Sequence, residues 1–235
     1  MRALVVGATG GLGSAFTTLL TENASVDEVV AWSRTPLTVT SSKLHAAFID
    51  LRDESSIQSA ASTLGEVDLV LVASGLLHDS EGLQPERTWR TLDRAAMLRS
   101  FEINTIGPAL VAKHVLPHLP RGRRAVFALL SARVGSISDN RLGGWHSYRA
   151  SKAALNQLIK CFAVELKTTR PEAIFVGLHP GTVDTNLSKP FQTYVAAGKL
   201  FSPEQSASLL LGVLDTLSVD QSGRVFDWDG LEVVP

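Results

Sequence analysis

The stretch Ala3-Leu4-Val5-Val6-Gly7-Ala8-Thr9-Gly10-Gly11-Leu12-Gly13 decides how this chain folds. A short aliphatic run ends in four glycines within seven positions, and the apolar period of a helix begins at Leu12. Strand, glycine turn and helix in that order open a βαβ unit. The glycines allow a tight turn and let backbone amides approach a pyrophosphate at a helix N-terminus. A turn that had only to be tight would rarely need so many.

Outward from this turn, apolar strand runs alternate with helical patterns. Strands are predicted at 3–6, 28–32, 46–49, 69–73, 125–130, 174–178 and 224–226, and helices at 12–20, 55–64, 94–116, 148–167 and 203–217. That alternation predicts an α/β fold: a Rossmann-like, doubly wound parallel sheet with helices on both faces. Its near-continuous apolar strands suit a sheet covered on both sides. The 235 residues are read as a single domain, 1–235. Segment 184–202 has weak periodicity and is expected to form an active-site lid.

Composition narrows the function. Hydrophobic residues make up 45% of the chain, charged residues 19%, and the net charge is −1. No global field draws such a protein to nucleic acid or to an anionic membrane. The cluster Arg121-Gly122-Arg123-Arg124 is read as capping a loop. Cys161 is the only cysteine, so intramolecular disulfides are impossible and a reducing, cytoplasmic setting fits. It is expected to be a buried structural thiol. No membrane span, signal peptide or metal site is expected.

Two further clusters carry chemistry. After the second strand, Ser33 and Arg34 stand where a site selective for NAD usually has an acid to hold the ribose 2′-hydroxyl. A neutral residue followed by a planar cationic fork suits a 2′-phosphate, so NADP(H) is expected over NAD(H). Asp50 and Leu51 could edge the adenine, and Asp50 could instead cap the helix near Ser55. The second cluster is Tyr148-Arg149-Ala150-Ser151-Lys152, which puts a phenol and an ammonium on one helical face near its N-terminal end. A neighbouring ammonium and the helix dipole favour phenolate. Lowering the phenol's pKa by about three units takes roughly 4 kcal/mol and would give a general acid/base near neutral pH.

These motifs, in this order, resemble the short-chain dehydrogenase/reductase family across nearly the whole chain. Gly7, Gly11 and Gly13 match its Gly-xxx-Gly-x-Gly turn, Tyr148 and Lys152 its Tyr-xxx-Lys pair, and Pro180-Gly181 its nicotinamide-lining segment. Asn104 matches the helix asparagine that supports the lysine through a water. Ser131-Ala132-Arg133-Val134-Gly135 and the run up to Tyr148 are similar to the small carbonyl reductase-like group that includes C-factor-type proteins. Three departures stand out. The usual Asn-Asn-Ala-Gly reads Val72-Ala73-Ser74-Gly75. The family's catalytic serine, three residues before a glycine, falls on Ala132, with Ser131 one place early; a bulge could restore Ser131, and Ser136 is a further candidate. Gly7, Gly10 and Gly13 also fit the spacing of extended relatives such as sugar-nucleotide epimerases, but the tail after Gly181 is short for their substrate domain.

The resemblance implies hydride exchange between a nicotinamide and a carbonyl or alcohol. Tyr148, Lys152, Ser131 and Asn104 are then the expected catalytic set. Expected dinucleotide contacts are Gly7, Thr9, Gly10, Gly11, Leu12, Gly13, Ser33, Arg34, Asp50, Leu51, Ala73, Ser74, Gly75, Asn104, Tyr148, Lys152, Pro180, Gly181, Val183 and Thr185. Leu76, Leu77, His78, Trp145, His146, Leu187 and Phe191 are the expected substrate-side residues, and His179 is read as structural. A small-molecule carbonyl or alcohol is the expected partner, with a homodimer or homotetramer as the assembly. The alternative is a dinucleotide-binding sensor or signalling protein with little catalysis.

Overall fold

A computed structural model describes residues 1–196 and 198–235. Ala197, inside the expected lid, lies outside the described residues. The chain opens with β1 (Arg2–Val6), α1 (Gly11–Glu22), β2 (Glu28–Ser33), β3 (Leu44–Phe48), α2 (Glu54–Ser62) and β4 (Leu69–Val72). There follow α3 (Arg94–Phe101), a π-helical turn (Glu102–Ile106), α4 (Gly107–Val115), β5 (Ala125–Leu130), α5 (His146–Thr169) and β6 (Ala173–His179). A two-stranded ribbon of β7 (Thr182–Val183) and β8 (Leu200–Phe201), then α6 (Pro203–Thr216) and β9 (Val225–Asp227), complete the chain.

The described residues form a seven-stranded parallel sheet in the order β3-β2-β1-β4-β5-β6-β9. Alternate strand residues feed two cores. Leu4, Val6, Trp32 and Phe127 face α2, α4 and α5, whereas Val5, Val29, Leu71 and Val126 face α1 and α6. The helices bury stripes against these faces, among them Phe16 and Leu20 of α1 and Leu155, Ile159, Ala163 and Leu166 of α5. Cys161 falls on the opposite side of α5 and is exposed, so the expectation of a buried thiol is corrected. Two residues along a helix is about 200° of rotation from a buried Ile159.

Strand order reverses between β1 and β4, the switch point where ligands bind at the carboxyl ends of such sheets. The glycine turn, the 73–75 segment, Ser131 and His179 all stand at those ends. The helix expected over 94–116 is interrupted. Pro108 offers no N–H to the carbonyl of Asn104, and the chain widens into the π turn that carries Asn104. The expected lid contains a short 3₁₀ helix, Lys189–Tyr194. Arg123 pairs with Glu66 and Asp68, and Arg124 donates to Leu214 O, tying the basic cluster into the fold. No helix among the described residues is long and apolar enough to cross a membrane.

Candidate active site

The N-terminus of α5 is set by its neighbours. Gly143, Gly144 and Trp145 all have positive φ, and Trp145 is the only non-glycine residue described with one (50°). Its N–H donates to Glu86 O at 2.5 Å. The Glu86 carboxylate, itself buried, accepts from Ser147 N at 3.1 Å and from the Ser147 hydroxyl. A carboxylate there satisfies a free helical amide and meets the positive end of the helix. Sequence reasoning missed Glu86, and no local signal could have found it, because its partner lies 61 residues away.

Tyr148 therefore sits in the first turn of α5, with Lys152 one turn on, and both are buried. Lys152 Nζ lies 5.9 Å from the Tyr148 ring centre and donates to Leu130 O at 2.8 Å. The expected lowering of the phenol's pKa is not what this geometry gives. Burial pushes Tyr148 up to about 12 and brings Lys152 down to about 8. The ammonium donates to a carbonyl rather than to the phenol, so desolvation governs both groups.

Asn104 is fully buried and couples three elements. Its side chain accepts from Leu76 N and donates to Leu76 O, both at 2.8 Å, and donates to Ser151 of α5 at 3.1 Å. Ser131 and Ala132, just past β5, diverge. Ser131 Oγ donates to Asn156 Oδ1 at 2.5 Å, on the next turn of α5 beyond Lys152. Ala132 packs with Leu77 and Tyr148. The side chain beside the phenol is thus a methyl group. Successive residues of extended chain point to opposite sides, so the shift read in the sequence turns the Ser131 hydroxyl toward Asn156. Ser136 is buried and its hydroxyl accepts from Asp139 N.

A cavity of about 790 Å³ joins these groups to the glycine turn. It is lined by Thr9, Gly10, Gly11, Leu12, Ala73, Ser74, Gly75, Ser131, Tyr148, Lys152, Pro180, Gly181, Val183 and Thr185 from the expected set. A second cavity of about 270 Å³ shares Thr9, Gly10, Ala73, Ser74 and Gly75 and adds Gly7, Ser33, Arg34, Asp50 and Leu51. Asn104 and Gly13 line neither. Asn104 lies just behind Gly75, and Gly13 serves packing, since a Cβ there would lie 2.0 Å from Gly7 O. Gly7 itself has φ +82° and abuts Ala73. On the substrate side, Leu77, His78, Trp145, Leu187 and Phe191 line the larger cavity, joined by Ala132, Val134 and Val195. Leu76 and His146 do not line it. His179 does, and burial and Arg133 bring it down to about 4.

The trough fits a dinucleotide. No side chain caps α1 at Gly10, and no acidic residue sits in its first turn, so its amides stay available to an anion. Ser74 Oγ is buried and has no partner among the described residues, at the junction of the two cavities. Arg34 stands on the rim of the smaller one. Asp50 there is held well below its usual range by Arg52, its partner at 3.1 Å, and Asp53 rather than Asp50 caps α2. No group of three or more His, Cys, Asp or Glu that could hold a metal occurs among the described residues.

A parallel doubly wound sheet, a glycine cradle and a buried Tyr-xxx-Lys pair define a nicotinamide-dinucleotide oxidoreductase. The model of the short chain dehydrogenase family matches residues 1–195, and the chain belongs to that family. C-signal of Myxococcus xanthus is 39% identical over 143 residues, 60% of this chain and 80% of that protein. A 1-hydroxy-2-glutathionyl-2-methyl-3-butene dehydrogenase of Rhodococcus sp. (strain AD45) is 33% identical over 187 residues, 77% of this chain and 76% of the relative. Among solved structures, NADPH-bound carbonyl reductase from chicken fatty liver superposes with a TM-score of 0.85 at 25% identity, covering 100% of this chain and 98% of that one. The protein is an NAD(P)-dependent oxidoreductase of this family.

Proposed function

We propose that the protein is an NADP(H)-dependent carbonyl reductase or alcohol dehydrogenase in which Tyr148 is the general acid/base. The carrying observation is that Tyr148 and Lys152 line one wall of the cavity that runs on to the glycine cradle. When bound, the nicotinamide supplies or accepts the hydride at the reacting carbon. Tyr148, protonated throughout the neutral range, donates its phenolic proton to the carbonyl oxygen as charge gathers there. Lys152 lies close enough to stabilise the phenolate left behind, and its ammonium reaches the Gly75 side of the trough, where it would hold the ribose. Asn104 Oδ1 accepts one described bond and keeps a lone pair for a water on the relay toward Lys152. Thr185, packed against Gly11, and the backbone after Pro180 would orient the carboxamide.

NADP(H) is favoured over NAD(H) because Arg34 and Arg52 flank Asp50, the one acid among the described residues lining the smaller cavity. Exposed Leu98, Ile106 and Val164 on α3, the π turn and α5 support a homo-oligomer, and a single cysteine fits a reducing, cytoplasmic setting. Sedimentation showing only monomer at micromolar concentration would remove that assembly. The test of function is NADPH oxidation against ketones, aldehydes and quinones. Tyr148→Phe should lower kcat by about 10²–10⁴-fold. Arg34→Ala should weaken NADPH binding about tenfold or more, near 1.4 kcal/mol, and NADH binding far less. Undiminished turnover by Tyr148→Phe would overturn the mechanism, equal effects on both cofactors the phosphate clamp, and cofactor binding without any turnover would favour a sensor.

A further inference from the structure

We infer that this site is built for carbonyls that carry their own activation, such as 1,2-diketones, quinones and aldehydes, because Ala132 leaves the reacting oxygen a single hydrogen-bond donor. The inference rests on Tyr148 being the proton donor. At the position beside the phenol, where a hydroxyl would supply a second donor, stands the Ala132 methyl, packed with Leu77 and Tyr148. Three polar groups nearby are engaged elsewhere. The nearest hydroxyl in sequence, Ser131, donates to Asn156 at 2.5 Å. Lys152 Nζ donates to Leu130 O, and Ser188 Oγ to Val183 O at 2.5 Å. His179, at the end of β6, lines the cavity with its Nδ1 buried and without a partner among the described residues, and its part as a donor is tested by His179→Asn.

The rest of the substrate half is apolar and aromatic. Val134 and Leu187 line it, with Trp145 set edge-on to both Tyr148 (6.2 Å between ring centres) and Phe191 (5.1 Å). Lys152 is the only Lys, Arg, Asp or Glu among the described residues lining this cavity. No second cation is there among the described residues to hold a phosphate or carboxylate on the substrate, whereas a flat apolar group suits this aromatic wall.

A preorganised donor at a developing oxyanion is worth about 10²–10³ in rate, so a site lacking one is slow with plain ketones and loses least with electrophilic ones. The test compares acetophenone with 1-phenyl-1,2-propanedione under saturating NADPH. Ala132→Ser should raise kcat for acetophenone about tenfold or more and for the diketone less than about threefold. Binding of acetophenone to the cofactor-free protein, read by tryptophan fluorescence, should tighten far less than kcat rises. Ala132→Thr carries the same hydroxyl if the serine variant fails to fold. No gain with either folded variant, while Tyr148→Phe is still inactive, overturns this inference and leaves the proposed function standing. A loss of kcat in Ser131→Ala or His179→Asn as large as that in Tyr148→Phe overturns it too, by revealing a second donor. A wild type that reduces acetophenone as fast as the diketone overturns the inference and leaves the proposed function standing.

Discussion

Burial, more than charge pairing, sets the protonation states of the two central residues. Tyr148 pushed up to about 12 is a proton donor at any physiological pH, which suits reduction, whereas alcohol oxidation must first take that proton away. Lys152, brought down to about 8, keeps its charge at pH 7 and loses it on the alkaline side. Reductive kcat/KM should therefore be level from about pH 6 to 7.5 and fall as Lys152 deprotonates, while oxidation rises with pH. Steady-state profiles in both directions check this; a reductive rate already falling below about pH 7 would contradict it. The pair itself was legible from its spacing. Its pKa values were not, because they depend on desolvation and on a carbonyl, Leu130 O, supplied by another element.

At the scale of elements, the start of α5 is held by a residue 61 positions away. A left-handed Trp145 costs on the order of 1 kcal/mol. Glu86 offsets it by accepting from Ser147 and by receiving the Trp145 N–H on its backbone carbonyl. Glu86→Ala removes the carboxylate and should lower Tm by about 5 °C and reduce kcat, with Glu86→Gln retaining part of both. Thermal denaturation and kcat measured together decide it; a Tm within about 1 °C of wild type would dismiss the clamp. The strands and helices were largely legible, since aliphatic runs and helical stripes are local signals. The π turn at Glu102–Ile106 was not, because an apolar period continues smoothly across it and only the missing Pro108 amide breaks the ladder.

At the scale of the whole molecule, the reversal of strand order between β1 and β4 opens the trough, and His179 lies half-buried in its wall. Its folded value of about 4 is below the ordinary 6.5, because burial and Arg133 disfavour the cation more than Asp227 favours it. A depressed histidine binds fewer protons folded than unfolded. The stability it contributes is therefore fully present above about 6.5 and is lost as pH falls through about 4. Tm should drop across that interval by about 5 °C more in wild type than in His179→Asn. Calorimetry across the same range checks it, and parallel curves for the two proteins would refute the assignment.

The alternating α/β architecture, the phosphate-cradling turn and the Tyr148–Lys152 helix face were all present in the chain before any folding was considered. Each is written in short-range periodicity or in residues that only one backbone geometry accommodates. Which side chains gather around Tyr148 was decided by the folded molecule alone. Ser131 and Ala132 are neighbours in sequence, yet one hydroxyl turns to Asn156 and the other side chain packs on Tyr148. Cys161 and Glu86 were settled in the same way, one turned outward on α5 and the other drawn inward to its first turn. Orientation at a strand end and burial against distant elements are properties of packing, and no local pattern encodes them.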